Sequence, residues 1–151
     1  MTPKEFYQNY QADQDIDMLD LCMVREIIQF SPNSVFEFGC GSGKNLATIK
    51  TFTMPENRPE TWGLDISIVN VMQAHCAGVD CCIRGDERHI PARQFDVVFT
   101  VSVLDHIEDI HNIIGAFQSI ATKAILLGET YCHLNLFFGS RAALQPPGIG
   151  K

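Results

Sequence analysis

The stretch Val35-Phe36-Glu37-Phe38-Gly39-Cys40-Gly41-Ser42-Gly43-Lys44-Asn45-Leu46 constrains this chain more than any other. Val35 to Phe38 read as a strand, glycines follow at three alternate positions, and a helix-compatible run begins at Asn45. A strand that turns through glycines into a helix start is a binding device. Glycine reaches positive φ and lets a ligand approach the backbone where a side chain would collide. The helix start offers unpartnered N–H groups and a partial positive charge to an anionic group. Glu37 stands just ahead of the turn in an apolar strand. A buried carboxylate there needs donors, either N–H groups of the turn or a ligand ammonium.

The flanking sequence supplies what such a unit packs against. Ile16, Leu19, Met23, Ile27 and Phe30 recur at spacings of three and four, which predicts a helix over 15–30 with Asp13 or Asp15 as its cap. Ser31-Pro32-Asn33 ends it, because the residue before a proline avoids helix. The strand Ser34–Phe38 and a helix to about residue 52 follow. A loop with Pro55 and Pro59 leads to a strand at 61–66 and a helix at 68–77, which Gly78 can stop. A short strand at 80–84 and a loop with Pro91 precede Phe95–Val101. That segment is nearly all apolar, as a central parallel strand buried on both faces should be. A loop at 102–108, a helix at 110–122 and a strand at 124–128 complete the series.

The order β-α-β-α-β-β-α-β, with a doubtful helix slot before the fourth strand, predicts a three-layer α/β/α domain with a mostly parallel sheet. Residues 1–14 carry Phe6, Tyr7 and Tyr10 without clear periodicity and read as an arm or lid. Beyond Glu129, residues 134–144 have room for one further element, and 145–151, with Pro146-Pro147-Gly148, read as a flexible tail. The length suits one domain over 1–151.

Composition narrows the partners. Hydrophobic residues make up 46% and charged residues 19%, a globular balance. The formal net charge is −7 and no Lys/Arg cluster occurs, which argues against nucleic acid. No apolar run approaches the ~18 residues of a membrane span, and the first residues lack signal-peptide character. A cytoplasmic location is expected. The six cysteines (22, 40, 76, 81, 82, 132) include no C-x-x-C pair. They read as reduced, apolar filling. His75 with Cys76, Cys81 and Cys82 is only a faint zinc pattern, and no metal is expected.

Open α/β sheets bind ligands at the carboxyl ends of their strands. Those ends deliver Glu37, Gly39, Gly41 and Gly43, then Asp65, then Asp86, then Val101 and Ser102, and last Glu129. Asp65 lies 22 positions after Gly43, near the offset of about 20 at which an acid accepts ribose hydroxyls. The lesser alternative is that it caps the following helix. Asp86 could accept from an adenine amine or simply form the turn after Gly85. A dinucleotide motif wants glycine at position 44, which is Lys44; a phosphate loop wants glycine at 38 and Ser or Thr at 45, which are Phe38 and Asn45. What stands is E-x-G-x-G-x-G.

Glu37 to Gly43 resembles motif I of the class I S-adenosylmethionine-dependent methyltransferases. Trp62-Gly63-Leu64-Asp65-Ile66, then Gly85-Asp86, then Ile90-Pro91 with Phe95 to Ile107 are similar, in order, to that family's later motifs. The resemblance covers about residues 15–130 and implies a Rossmann-like fold that binds S-adenosyl-L-methionine. It implies that Glu37, Phe38, Gly39, Cys40, Gly41, Gly43 and Asn45 surround the methionine part. Asp65 and Ile66 would meet the ribose, Asp86 and Glu87 the adenine, and Val101 and Ser102 would line the cofactor. Tyr7 and Tyr10 would close over it.

Such a methyl donor is already activated, so positioning supplies most of the effect. A hydroxyl nucleophile would gain from a general base. His106 is the first candidate, with His133 and Glu129 second; His75, His89 and His111 read as surface residues. The acceptor is expected to be a small molecule. The family's sheet has two further strands that 22 residues can hardly supply. This chain therefore reads as truncated, or as a minimal form whose exposed sheet edge a second copy covers. A non-catalytic cofactor-binding protein is the alternative, and an NAD(P)-dependent oxidoreductase a weaker one.

Overall fold

A computed structural model describes residues 2–129 and 138–139. Among them, six strands form one sheet in the order β3-β2-β1-β4-β5-β6. The strands β1 (Ser34–Phe38), β2 (Glu60–Asp65), β3 (Cys81–Arg84), β4 (Phe95–Val101) and β5 (Ala121–Gly128) are parallel. The two-residue β6 (Phe138–Gly139) runs antiparallel to β5. The order reverses between β1 and β4, so a crevice opens at their carboxyl ends.

The three layers are unequal. Helices α2 (Met18–Gln29), α3 (Lys44–Phe52) and α4 (Ile68–Cys76) cover one face, where Met23, Val24, Ile27, Leu46, Ile49 and Ala74 pack on Val35, Val97 and Phe99. The other face is covered by α5 (Ile110–Ile120) through Ile113, Phe117 and Ile120 on Phe36, Val98 and Ile125. β4 is buried from both sides, as its nearly all-apolar sequence predicts. No α-helix joins β3 to β4; a 3₁₀ turn at Glu87–His89 takes that place.

The structure corrects four expectations. Residues 3–8 form a short helix, α1 (Pro3–Gln8), because Thr2 and Glu5 make a reciprocal capping box around Pro3. α2 starts at Met18, not near 15: Asp17 and Asp20 cap each other's backbone N–H groups, which leaves 13–16 outside the helix, with a bend at Asp15 whose N–H bonds to the Asp13 carboxylate. β5 begins at Ala121 directly after α5. There Thr122 bonds to the Phe95 carbonyl and Asp96 carboxylate of β4, and this pairing overrides the helical periodicity. The β3 strand starts at Cys81 because Asp80 instead accepts from the backbone and hydroxyl of Thr61. The expectations for 134–144 and 145–151 lie almost wholly outside the described residues. No described helix is long and apolar enough to cross a membrane.

Candidate active site

The crevice is a cavity of about 810 Å³, within the range of small-molecule and cofactor sites. Its floor is the turn after β1 and the ends of β2 and β4; α1 and the arm that follows it line its other side. Nine carboxylate residues and two lysines line it, an environment suited to a cationic ligand.

The glycine turn holds the arm as well as leaving room for a ligand. Gly41 has φ +53°, and a Cβ there would come within 2.9 Å of the Ala12 side chain. Ser42 donates to the Asp13 carbonyl at 3.2 Å. Lys44 donates to the Asp15 carbonyl at 2.8 Å and pairs with buried Asp20 at 2.7 Å. The lysine that breaks the dinucleotide pattern therefore anchors the arm. Gly43, at φ +79°, begins α3, and a Cβ would meet Ala74 of α4 at 2.8 Å. It shapes the turn but does not line the cavity, contrary to its expected place beside the cofactor.

Asp65 ties the turn to β2. Its Oδ2 accepts the Gly41 N–H at 2.9 Å, and its Oδ1 accepts from Ser67 N and Asn70 Nδ2 at 2.8 and 3.1 Å. An ionised carboxylate has about four acceptor positions, so three are used and capacity for one more donor remains. Ser67, rather than Asp65, caps α4. Asn70 also accepts the Ala12 N–H at 2.8 Å and so joins Asp65 to the arm.

Glu37 lies wholly inside. Its Oε1 accepts from Asn45 Nδ2 at 2.8 Å, while Glu37 Oε2 and Asn45 Oδ1 are buried without partners. Burial pushes the Glu37 carboxyl well above the usual carboxylate range, against the opposing Asn45 bond. Two buried oxygens without partners, on residues that line the cavity, are what a site for a hydrogen-bonding ligand leaves unsatisfied.

Asp86 lines the cavity, but its oxygens are taken. Arg88, Lys4 and His89 approach at 2.8, 2.5 and 3.0 Å. Arg88 above all, then Lys4 and His89, hold the carboxyl far below its usual range. The expected acceptance from an adenine amine meets a group already satisfied, because Arg88 and His89 belong to the same short turn.

Beyond β4, Ser102 adopts φ +53° and its N–H bonds to the Gly128 carbonyl. Phe38, Gly39, Cys40, Ile66, Glu87, Val101, Ser102 and His106 all line the cavity. His106 Nε2 lies 2.8 Å from the Tyr7 hydroxyl and 3.3 Å from Asp105. Glu129, expected as a base, does not reach the cavity. Its Oε1 accepts the N–H groups of Val103 and Leu104, so it fixes the loop that carries His106. Burial raises its carboxyl above the usual range. His133 lies outside the described residues. The sequence reading missed Lys4 and Asn70: Lys4 sits in a segment without periodicity, whereas Asn70, in the first turn after Asp65, was legible as a polar residue facing that acid.

Comparison with known proteins gives these features a family. A model described as a methyltransferase domain matches residues 10–143. The chain belongs to this methyltransferase domain family. No curated protein sequence matches it. Among solved structures it is similar to magnesium protoporphyrin IX methyltransferase (ChlM) from Synechocystis PCC 6803 with bound SAM, at 16% identity and TM-score 0.62, over 84% of this chain and 76% of that one. It is similar to the plantazolicin methyltransferase BamL, solved with a triazolic desmethylPZN analog and SAH, at 16% identity and TM-score 0.62, over 73% and 44%. YjhP from E. coli matches at 16% identity and TM-score 0.59, over 83% and 54%. The chain thus spans about half the length of these last two. These likenesses establish the Rossmann-like α/β fold.

Proposed function

We propose that the cavity binds S-adenosyl-L-methionine and that the chain transfers its methyl group to a small-molecule acceptor by in-line displacement. The observation that carries this reading is the buried Asp65 carboxylate. It is bonded to the Gly41 N–H at the paired ends of β1 and β2 and retains acceptor capacity toward the cavity. The residues fit the cofactor. Asp65 can accept from a ribose hydroxyl, the orphan Glu37 Oε2 and Asn45 Oδ1 can take ammonium protons, and the start of α3 favours a carboxylate. Bound S-adenosylmethionine supplies a sulfonium methyl that needs no further activation.

The chain's own residues then hold and enclose. The arm excludes water through the Lys4–Asp86 and Tyr7–His106 contacts. His106 is the side chain best placed to accept an acceptor's proton, with Tyr7 beside it. Glu129 keeps that loop in place. The acceptor's small size is supported by the acidic balance of the chain and by the volume of the cavity. A cytoplasmic location and a second copy covering the sheet edge, which β6 borders, complete the reading.

The test is calorimetric titration with S-adenosylhomocysteine, followed by methyl-donor turnover on a metabolite panel. Saturable one-to-one binding with turnover on at least one acceptor is expected. Binding without turnover favours the non-catalytic alternative, and binding of NAD(P)H instead would overturn the cofactor.

A further inference from the structure

We propose that Cys40 and Cys82 are a redox modification site, a dithiol that forms a reversible disulfide by exchange with oxidised glutathione and thereby changes the cofactor turn. The pair is set up by the fold. Cys40 stands between Gly39 and Gly41 in the turn, and Cys82 lies on β3, with β2 between the two elements. They meet because position 63, directly opposite Cys82 in the β2–β3 register, is glycine. A Cβ at Gly63 would come within 2.6 Å of Cys40 Sγ, so any side chain there would occupy the space through which Cys40 reaches over β2. The two sulfurs lie 3.5 Å apart in a thiol–thiol contact. A disulfide at about 2.05 Å requires them to close by roughly 1.5 Å.

The environments of the two thiols differ in the direction that exchange chemistry needs. Cys40 is buried, and its bond to Cys82, together with burial, holds its proton on. Cys82 is only half-buried, so its sulfur is the one that glutathione can reach. The Cys82 thiolate attacks one sulfur of oxidised glutathione, forming a mixed disulfide and releasing one glutathione thiolate. Cys40 then loses its proton, and its sulfur attacks Cys82 Sγ, displacing the second glutathione. Two protein thiols and one glutathione disulfide become one protein disulfide and two glutathione thiols, so electrons and protons balance.

Drawing Cys40 toward β3 displaces the turn whose next residue, Gly41, donates to Asp65. Cys40 itself lines the cavity, whereas Cys82 does not. Oxidation and cofactor binding are therefore coupled. Coupling free energies of this kind correspond to about 5–150-fold in affinity. This second part rests on the proposed cofactor; the cross-link does not.

The test is equilibration of the full chain across a range of reduced-to-oxidised glutathione ratios, acid quench, denaturing alkylation and peptide mapping. The expected product is a Cys40–Cys82 cross-link, reversed by dithiothreitol, retained in Cys81→Ser and lost in Cys82→Ser. Cys40 remaining alkylatable at every ratio, while only exposed Cys22 and Cys76 take up glutathione, overturns the site, as does a cross-link that persists in Cys82→Ser. S-adenosylhomocysteine titration of the oxidised chain should show affinity at least about fivefold weaker than the reduced chain. Cys82→Ser should bind equally before and after the same treatment. A cross-linked chain with unchanged affinity overturns the coupling.

Discussion

The two halves of the cavity are built differently. On the β1–β2 side, most bonds among the groups facing inward stay within short stretches, Glu37 to Asn45 and Asp65 to Ser67 and Asn70, and the one longer tie, Asp65 to Gly41, joins the ends of the paired strands β1 and β2. On the β4–β5 side, the loop after Val101 is held from a distance. Glu129 takes two of its backbone N–H groups, Gly128 takes the Ser102 N–H, and Tyr7 reaches His106 from 99 residues away in sequence. A half made mostly of local bonds is written largely in a motif. A half held by long-range contacts can change with its loop and its partners. We connect the first with the proposed cofactor and the second with the proposed acceptor.

This contrast can be broken by substitutions on each side. The largest effect is expected for Gly43→Val, which forces a β-branched residue into φ +79° and a Cβ to 2.8 Å from Ala74. Left-handed strain of about 1–2 kcal/mol and overpacking of about 1–3 kcal/mol should add. Urea unfolding should show it, and an unchanged midpoint would mean that the turn is not rigid. On the other side, Glu129→Ala removes the acceptor for Val103 and Leu104, a loss of about 1–3 kcal/mol in loop anchoring. Turnover should fall further than S-adenosylhomocysteine affinity, and equal losses would erase the division of labour. Tyr7→Phe removes one hydrogen bond worth about 0.5–1.5 kcal/mol. A loss of affinity of severalfold, read by titration, would show that the arm clasps the ligand.

The smallest and most diagnostic effect is at Glu37. Burial raises its carboxyl in the folded state, so the native chain holds a proton that the unfolded chain has lost. Its contribution to stability therefore falls as pH rises above the ordinary carboxylate range. In the ligand-free protein, Glu37→Gln should gain thermal stability relative to wild type as pH rises from about 5 to 8. Parallel melting curves across that range would show that Glu37 has a partner there.

The same contrast explains how much was legible in the sequence. The glycine turn, Asp65 at its offset and the apolar β4 run each encode local geometry, so the layered fold and the β1–β2 wall of the cavity could be read from residue order. Asp86 was visible as an acid at a strand end, but its engagement by Arg88 and His89 depends on a 3₁₀ turn where a helix slot was doubtful. Lys44 broke a motif, and its partners, Asp20 and the Asp15 carbonyl, lie 24 and 29 residues away. Glu129 read as a base because it follows a strand; its actual partners are backbone N–H groups, which leave no mark in sequence. Long-range and backbone partners are the part that residue patterns do not carry.

The central claim is that Asp65 marks a nucleoside site at the β1–β2 end of the cavity. Calorimetric titration of wild type and Asp65→Ala with S-adenosylhomocysteine tests it most directly. Loss of a buried, charged acceptor should weaken binding by roughly tenfold or more, with the folded state verified by unchanged circular dichroism. Equal affinities in the two folded proteins would contradict it.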